Sequence, residues 1–103
     1  TSSAVLCALT GASVADVTGR GGGLTDAGYQ KKLAVIEAAL ALHRPDANDP
    51  IDVLTKVGGL DLAAMTGAYL GCAAEHIPAV VDGFISIVAA LCAVRLCPAA
   101  RII

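Results

Sequence analysis

The chain has 103 residues, 56% of them hydrophobic and 3% aromatic, with a formal net charge of −2 and a pI near 5.4, which bounds it to a single domain at most. Seven basic residues scattered among nine acidic ones argue against a nucleic-acid surface. The apolar stretch from Phe84 to Val94, closed by Asp82 and Arg95, is too short for the roughly 20 residues of a membrane span, and no basic region opens the chain as in a signal peptide.

A mean hydropathy of +0.74 means more apolar helical surface than the chain readily hides alone, favouring a place inside a larger protein or an obligate oligomer. Cys7, Cys72, Cys92 and Cys97 have no C-x-x-C spacing, so they read as small apolar side chains in a reducing cytoplasm rather than zinc ligands or disulfides. His43 and His76 stand near predicted helix ends, where a contact with the dipole accounts for them. No metal site and no cofactor is predicted.

In chain order, Thr1 to Leu9 predicts a helix stopped by Gly11, and Ser13 with Asp16 has the spacing of a capping box for a short helix to Thr18. Gly19-Arg20-Gly21-Gly22-Gly23 is neither a Walker loop nor G-x-G-x-x-G. It leads into a helix capped by Thr25 and running from Asp26 to His43, with Leu33, Ile36 and Leu40 on one stripe and Pro45 beyond. A glycine run feeding a helix N-terminus suits a phosphate, because bare N–H groups and the positive dipole end meet there. Lys31 and Lys32 follow about two turns on; neighbouring helical residues diverge by about 100°, and Lys32 is nearer the apolar stripe. Both lysines being solvated is the competing reading.

Asp49 predicts a cap for a helix with Pro50 at its first position, running through Lys56 to Gly58-Gly59. Asp61 predicts the cap of the next helix, which ends as Pro78 approaches. Ala63, Gly67 and Gly71 recur every four residues there, with Ala64, Ala68 and Cys72 beside them, so one face has little bulk and another backbone is expected close to it. Ile77 to Val81, an apolar run between two helices, predicts a strand of a parallel sheet buried on both faces. Asp82 and Gly83 then stand at its carboxyl end, where open α/β sheets bind ligands; Asp82 capping the following helix is the alternative. A last helix runs from near Phe84 to Pro98, and Arg101 to Ile103 looks like the start of another strand.

Beyond these local readings, the residues from Gly19 to Leu91 resemble the central part of the nicotinate-nucleotide:dimethylbenzimidazole phosphoribosyltransferase family. The most specific pieces are D-V-L-x-K-V-G-G at Asp52 to Gly59, G-A-x-L-G at Gly67 to Gly71 and P-x-V-V-D-G-F at Pro78 to Phe84, in family order and spacing. The resemblance implies an α/β, Rossmann-like parallel sheet with flanking helices, of which residues 1–103 are an incomplete, helix-rich central segment. It implies a cytoplasmic homodimer that moves phosphoribose from nicotinate mononucleotide to 5,6-dimethylbenzimidazole, giving α-ribazole phosphate for the lower ligand of cobalamin. An E-M-G-I-G-N-T-T segment would precede Thr1, and a G-E-G segment with the general base would follow Ile103. Gly21, Gly22, Lys32, Asp82 and Gly83 are the substrate-binding candidates, Lys32 falling on the family's lysine; at Gly22 many relatives have another residue. The alternatives are a related transferase using adenine or a phenolic acceptor, and a non-catalytic packing module built on the helix from Leu62 to Glu75.

Overall fold

Three of the predicted side-chain caps form. Ser13 Oγ accepts from the Asp16 N–H, Thr25 Oγ1 from the Gly28 N–H, and Asp49 Oδ1 from the N–H groups of Ile51 and Asp52, each satisfying donors that a helix start leaves open. A computed structural model describes residues 1–18 and 25–99. Its helices are α1 (Ser2–Thr10), α2 (Val14–Val17), α3 (Asp26–His43), α4 (Pro50–Val57), α5 (Leu60–Ala74) and α6 (Phe84–Leu96). Gly11 ends α1 in the left-handed conformation, as its sequence position predicts.

α1 is the hub. Its Val5 and Leu9 join Val53 of α4, Leu62 of α5 and Val88, Ala89 and Cys92 of α6 in one core, while Ala4 and Cys7 join Val14 and Ile36 in a second. Leu33 and Leu40 pack against the second core beside Ile36, so the predicted stripe of α3 is its packing face. α5 and α6 pack on each other, and the buried Thr66 hydroxyl joins them through the carbonyls of Leu62 (2.7 Å) and Ala89 (3.4 Å). Cys7 and Cys92 are buried in these cores and burial pushes both thiols up, consistent with their reading as apolar side chains; Cys97 is exposed. Arg95 reaches from α6 to the Leu9 carbonyl at 3.1 Å, meeting one of the acceptors that the end of α1 leaves open.

Three expectations need correction. No strand forms among the described residues: Ile77 to Val81 is irregular and mostly exposed, with Val80 91% accessible, because a strand's hydrogen bonds need a partner strand and none lies among the described residues; the strand start expected at Arg101 to Ile103 lies outside them. The parallel sheet is therefore absent from the described residues, whose regular elements are all helices. Asp61 is not a cap, since α5 begins at Leu60, two residues before the expected start, with Gly59 at its N-cap; its carboxylate instead accepts from the Leu62 N–H at 2.8 Å. Nor does the small face of α5 meet another backbone among the described residues: Gly67 and Gly71 are exposed, and a Cβ built on either would touch nothing. α5 packs through Leu62 and Thr66 instead. No helix among the described residues is long and apolar enough to cross a membrane.

The D-V-L-x-K piece has a local structural task. Asp52 Oδ2 accepts from the Asp46 N–H at 2.8 Å and pairs with Lys56 at 3.1 Å, and Lys56 Nζ also reaches the Arg44 carbonyl at 3.5 Å, so one turn of α4 holds the loop that follows α3. The Asp46 amide, and after it the Lys56 ammonium, hold the Asp52 carboxyl below its ordinary value. A carboxylate whose pKa is lowered on folding contributes stability above its unfolded pKa of about 3.9 and loses it as pH falls through the lower folded value. Asp52→Asn is accordingly expected to melt below the parent at neutral pH, with the gap closing in acid. Melting curves of both proteins across this range check it, and a gap independent of pH would exclude the ionised clamp.

Candidate functional site

The head of α3 is fixed from two sides. Thr25 caps it through the Gly28 N–H at 3.1 Å, and the Tyr29 hydroxyl donates to the Thr18 carbonyl at 2.9 Å, tying the first turns of α3 to the end of α2. An 18-residue helix capped in this way presents its positive end toward residues 19–24 in sequence. Gly21 and Gly22, two of the candidate contacts, lie outside the described residues.

Lys31 and Lys32 are both exposed. Their directions differ: at about 100° per residue, Lys32 stands about 60° round from Tyr29, on the side of Thr25, whereas Lys31 stands about 160° away. Tyr29, Leu33, Ile36 and Leu40 mark the side of α3 that faces the protein. Lys32 therefore flanks it and Lys31 points away, the order read from the sequence.

Asp82 and Gly83 form the entry to α6. Gly83 is its N-cap at φ 85° and ψ 161°, a region essentially reserved for glycine, and no side chain caps the helix. Asp82 is thus not the cap, contrary to the alternative reading of its position. Ser86, which sequence reasoning passed over, does the holding: its hydroxyl accepts from the Asp82 N–H at 3.1 Å and donates to the carbonyls of Asp82 and Gly83. The sequence signal was a hydroxyl four residues after Asp82 in the first turn of a helix. The Asp82 carboxylate is exposed and makes no hydrogen bond or ion pair among the described residues.

These two places are not joined. α3 packs mainly on α1, α2 and α4, whereas α6 packs on α5, α1 and α4, and no hydrogen bond or ion pair connects Lys32 with Asp82 or Gly83. Each is a helix start with its positive dipole end, with a lysine about two turns along one and a carboxylate beside the other, so together they suit a ligand with an anionic end and hydroxyl groups.

A cavity of about 690 Å³ lies elsewhere, between the ends of α5 and α6, lined mostly by Leu70, Ala73, Ala74, Pro78 and Ala99 with His76 and Cys97 at its wall. His76 is there for a backbone reason. It takes φ 55° after α5, with its N–H on the Ala73 carbonyl and the Ile77 N–H on the Cys72 carbonyl, the pairing that closes a helix with a left-handed residue. Among the described residues no three His, Cys, Asp or Glu side chains cluster as metal ligands.

A phosphoribosyltransferase family model matches residues 1–103. The chain is 60% identical over 100 residues to the nicotinate-nucleotide–dimethylbenzimidazole phosphoribosyltransferase of Roseiflexus sp. (strain RS-1), an alignment covering 97% of this chain and 28% of that protein. It is 58% identical over 99 residues to the enzyme of the same name from Geobacter metallireducens, covering 96% and 28%, and 51% identical over 98 residues to that of Acetivibrio thermocellus, covering 95% and 28%. The chain thus spans 28% of the length of these relatives.

Proposed function

The chain belongs to the phosphoribosyltransferase family, and from that membership we propose that the whole protein transfers phosphoribose from nicotinate mononucleotide to 5,6-dimethylbenzimidazole, making α-ribazole phosphate for the cobalamin lower ligand. The observation that carries this reading is 60% identity along nearly the entire chain to a relative named for that reaction. In the reaction a benzimidazole nitrogen bonds to the anomeric carbon, the bond to nicotinate breaks with its electron pair leaving on the pyridine nitrogen, and the second benzimidazole nitrogen gives up its proton. Such displacement needs a held phosphate, an oriented ribose and a base.

This segment is suited to the first two tasks. Gly21, Gly22 and Lys32, with the capped head of α3, are the contacts for the phosphate; Asp82, whose carboxylate makes no bond among the described residues, and Gly83 are the contacts for ribose hydroxyls. The base is assigned to a residue outside these 103. We also assign Ile77 to Val81 to a strand of a Rossmann-like parallel sheet completed by the rest of the protein, supported by the exposure of Ile77, Val80 and Val81 directly before the glycine turn. A cytoplasmic homodimer is part of the same reading.

The test is formation of α-ribazole phosphate by the purified complete protein and by the 103-residue chain. The complete protein is expected to turn over and the chain to show no activity. Turnover by the chain at the complete protein's rate would place the base within it, and transfer by the complete protein only to adenine or a phenol would change the acceptor.

A further inference from the structure

Gly83 holds a backbone conformation that only glycine takes readily, and glycine by itself leaves a turn free to take many others. One side chain fixes this turn at three backbone atoms. The Ser86 hydroxyl accepts from the Asp82 N–H at 3.1 Å and shares its proton between the carbonyls of Asp82 and Gly83, so that proton is engaged within the turn. Ser86 is in turn tied to the core. Val88 and Ala89, two and three residues on, have no accessible surface, and the Thr66 hydroxyl of α5 reaches the Ala89 carbonyl at 3.4 Å. A continuous path of packing and hydrogen bonds therefore runs from the core through the first turn of α6 to the backbone of Asp82.

The three bonds lie at the surface, where water takes the place of a lost partner and little stability is lost with it. What water cannot supply is the single arrangement of the turn, and a displacement of about 1 Å in a group that holds substrate can slow a reaction about 100-fold. We propose that Ser86 is a positioning residue for phosphoribosyl transfer, fixing the turn from which the Asp82 carboxylate meets the ribose hydroxyls. This role rests on the transferase reading above, and it supplies what holds Asp82 in place. Ser86 acts through Asp82 and does not itself touch the substrate.

The experiment sets Ser86→Ala, Ser86→Thr, Asp82→Ala and the double variant of Ser86→Ala with Asp82→Ala beside the parent in the complete protein. It reads kcat/KM with nicotinate mononucleotide limiting, KM for dimethylbenzimidazole, and the melting temperature. Ser86→Ala is expected to lower kcat/KM for nicotinate mononucleotide about three- to tenfold, with the melting temperature and KM for dimethylbenzimidazole close to the parent's. Ser86→Thr, which restores the hydroxyl, should recover most of that loss. In the Asp82→Ala background, Ser86→Ala should cost almost nothing further, because a carboxylate that is gone no longer needs placing. A general loosening of α6 would instead lower the melting temperature and add its loss in full to that of Asp82→Ala. That outcome, or an unchanged kcat/KM in Ser86→Ala, overturns the positioning role and leaves the transferase reading standing. Full activity in Asp82→Ala removes the ribose contact and this role with it, whereas a parent without turnover overturns the transferase reading itself.

Discussion

Leu62→Ala is expected to cost about 2–5 kcal/mol of folding stability, the range for deleting a fully buried leucine side chain. Leu62 has no accessible surface and heads the fully buried side chains by volume; it meets α1, α4 and α6 in one cluster through Val5, Leu9, Val53, Val88, Ala89 and Cys92. The void left behind has little means of closing. The Leu62 carbonyl is bonded to the Thr66 hydroxyl, which also reaches α6, so α5 is not free to sink toward the gap. Leu60, two residues earlier and 91% exposed, supplies the control: Leu60→Ala should change stability by no more than about 0.5 kcal/mol. Urea titrations of the two variants beside the parent decide the matter, and equal losses would mean that the helices do not converge on Leu62.

What could be read in advance divides by the range of the interactions. Ser13, Thr25, Asp49 and Pro50 were legible because a cap and the N–H groups it satisfies lie within three residues, and Gly11 because a left-handed residue suits glycine. The α5 start was misplaced by two residues because Gly59 can stand at an N-cap with no side chain, leaving Asp61 in the first turn. Ile77 to Val81 failed for the opposite reason: its apolar pattern reports the surroundings a segment is built for, and a strand exists only where a partner supplies the other half of each bond. The small face of α5 is a similar case. Gly67 and Gly71 weaken the helix without any contact among the described residues to offset it.

The candidate site was legible in part. The Thr25 cap, the direction of Lys32 and the need for glycine at position 83 all follow from local geometry. The burial of Thr18, whose Oγ1 has no hydrogen-bond partner among the described residues, does not, because it depends on what surrounds the residue in space, including Tyr29, 11 residues on, which holds its carbonyl. Ser86 shows the same limit from the other side. The sequence left Asp82 between a ligand contact and a cap for α6; the hydroxyl of Ser86 satisfies the turn, and the Asp82 carboxylate makes no bond among the described residues.

Lys32→Ala in the complete protein is expected to lower kcat/KM by about 10- to 150-fold when nicotinate mononucleotide is limiting, equivalent to the roughly 1.5–3 kcal/mol of a charge-assisted hydrogen bond. The lysine is exposed, so its loss should leave the melting temperature and circular dichroism close to those of the parent. Lys31→Ala is the matched control, one residue away, equally exposed and of equal charge, but on the side of α3 turned from Tyr29 and the core. A general loss of positive charge would affect both variants alike and would fade together as salt is added, since surface charges are screened beyond about 10 Å at 0.1 M. A direct contact would separate them at every salt concentration. Equal small losses would make both lysines solvated surface groups, and a larger loss at Lys31 would mean that the substrate approaches the opposite face of α3 from the one that Thr25 and Tyr29 define.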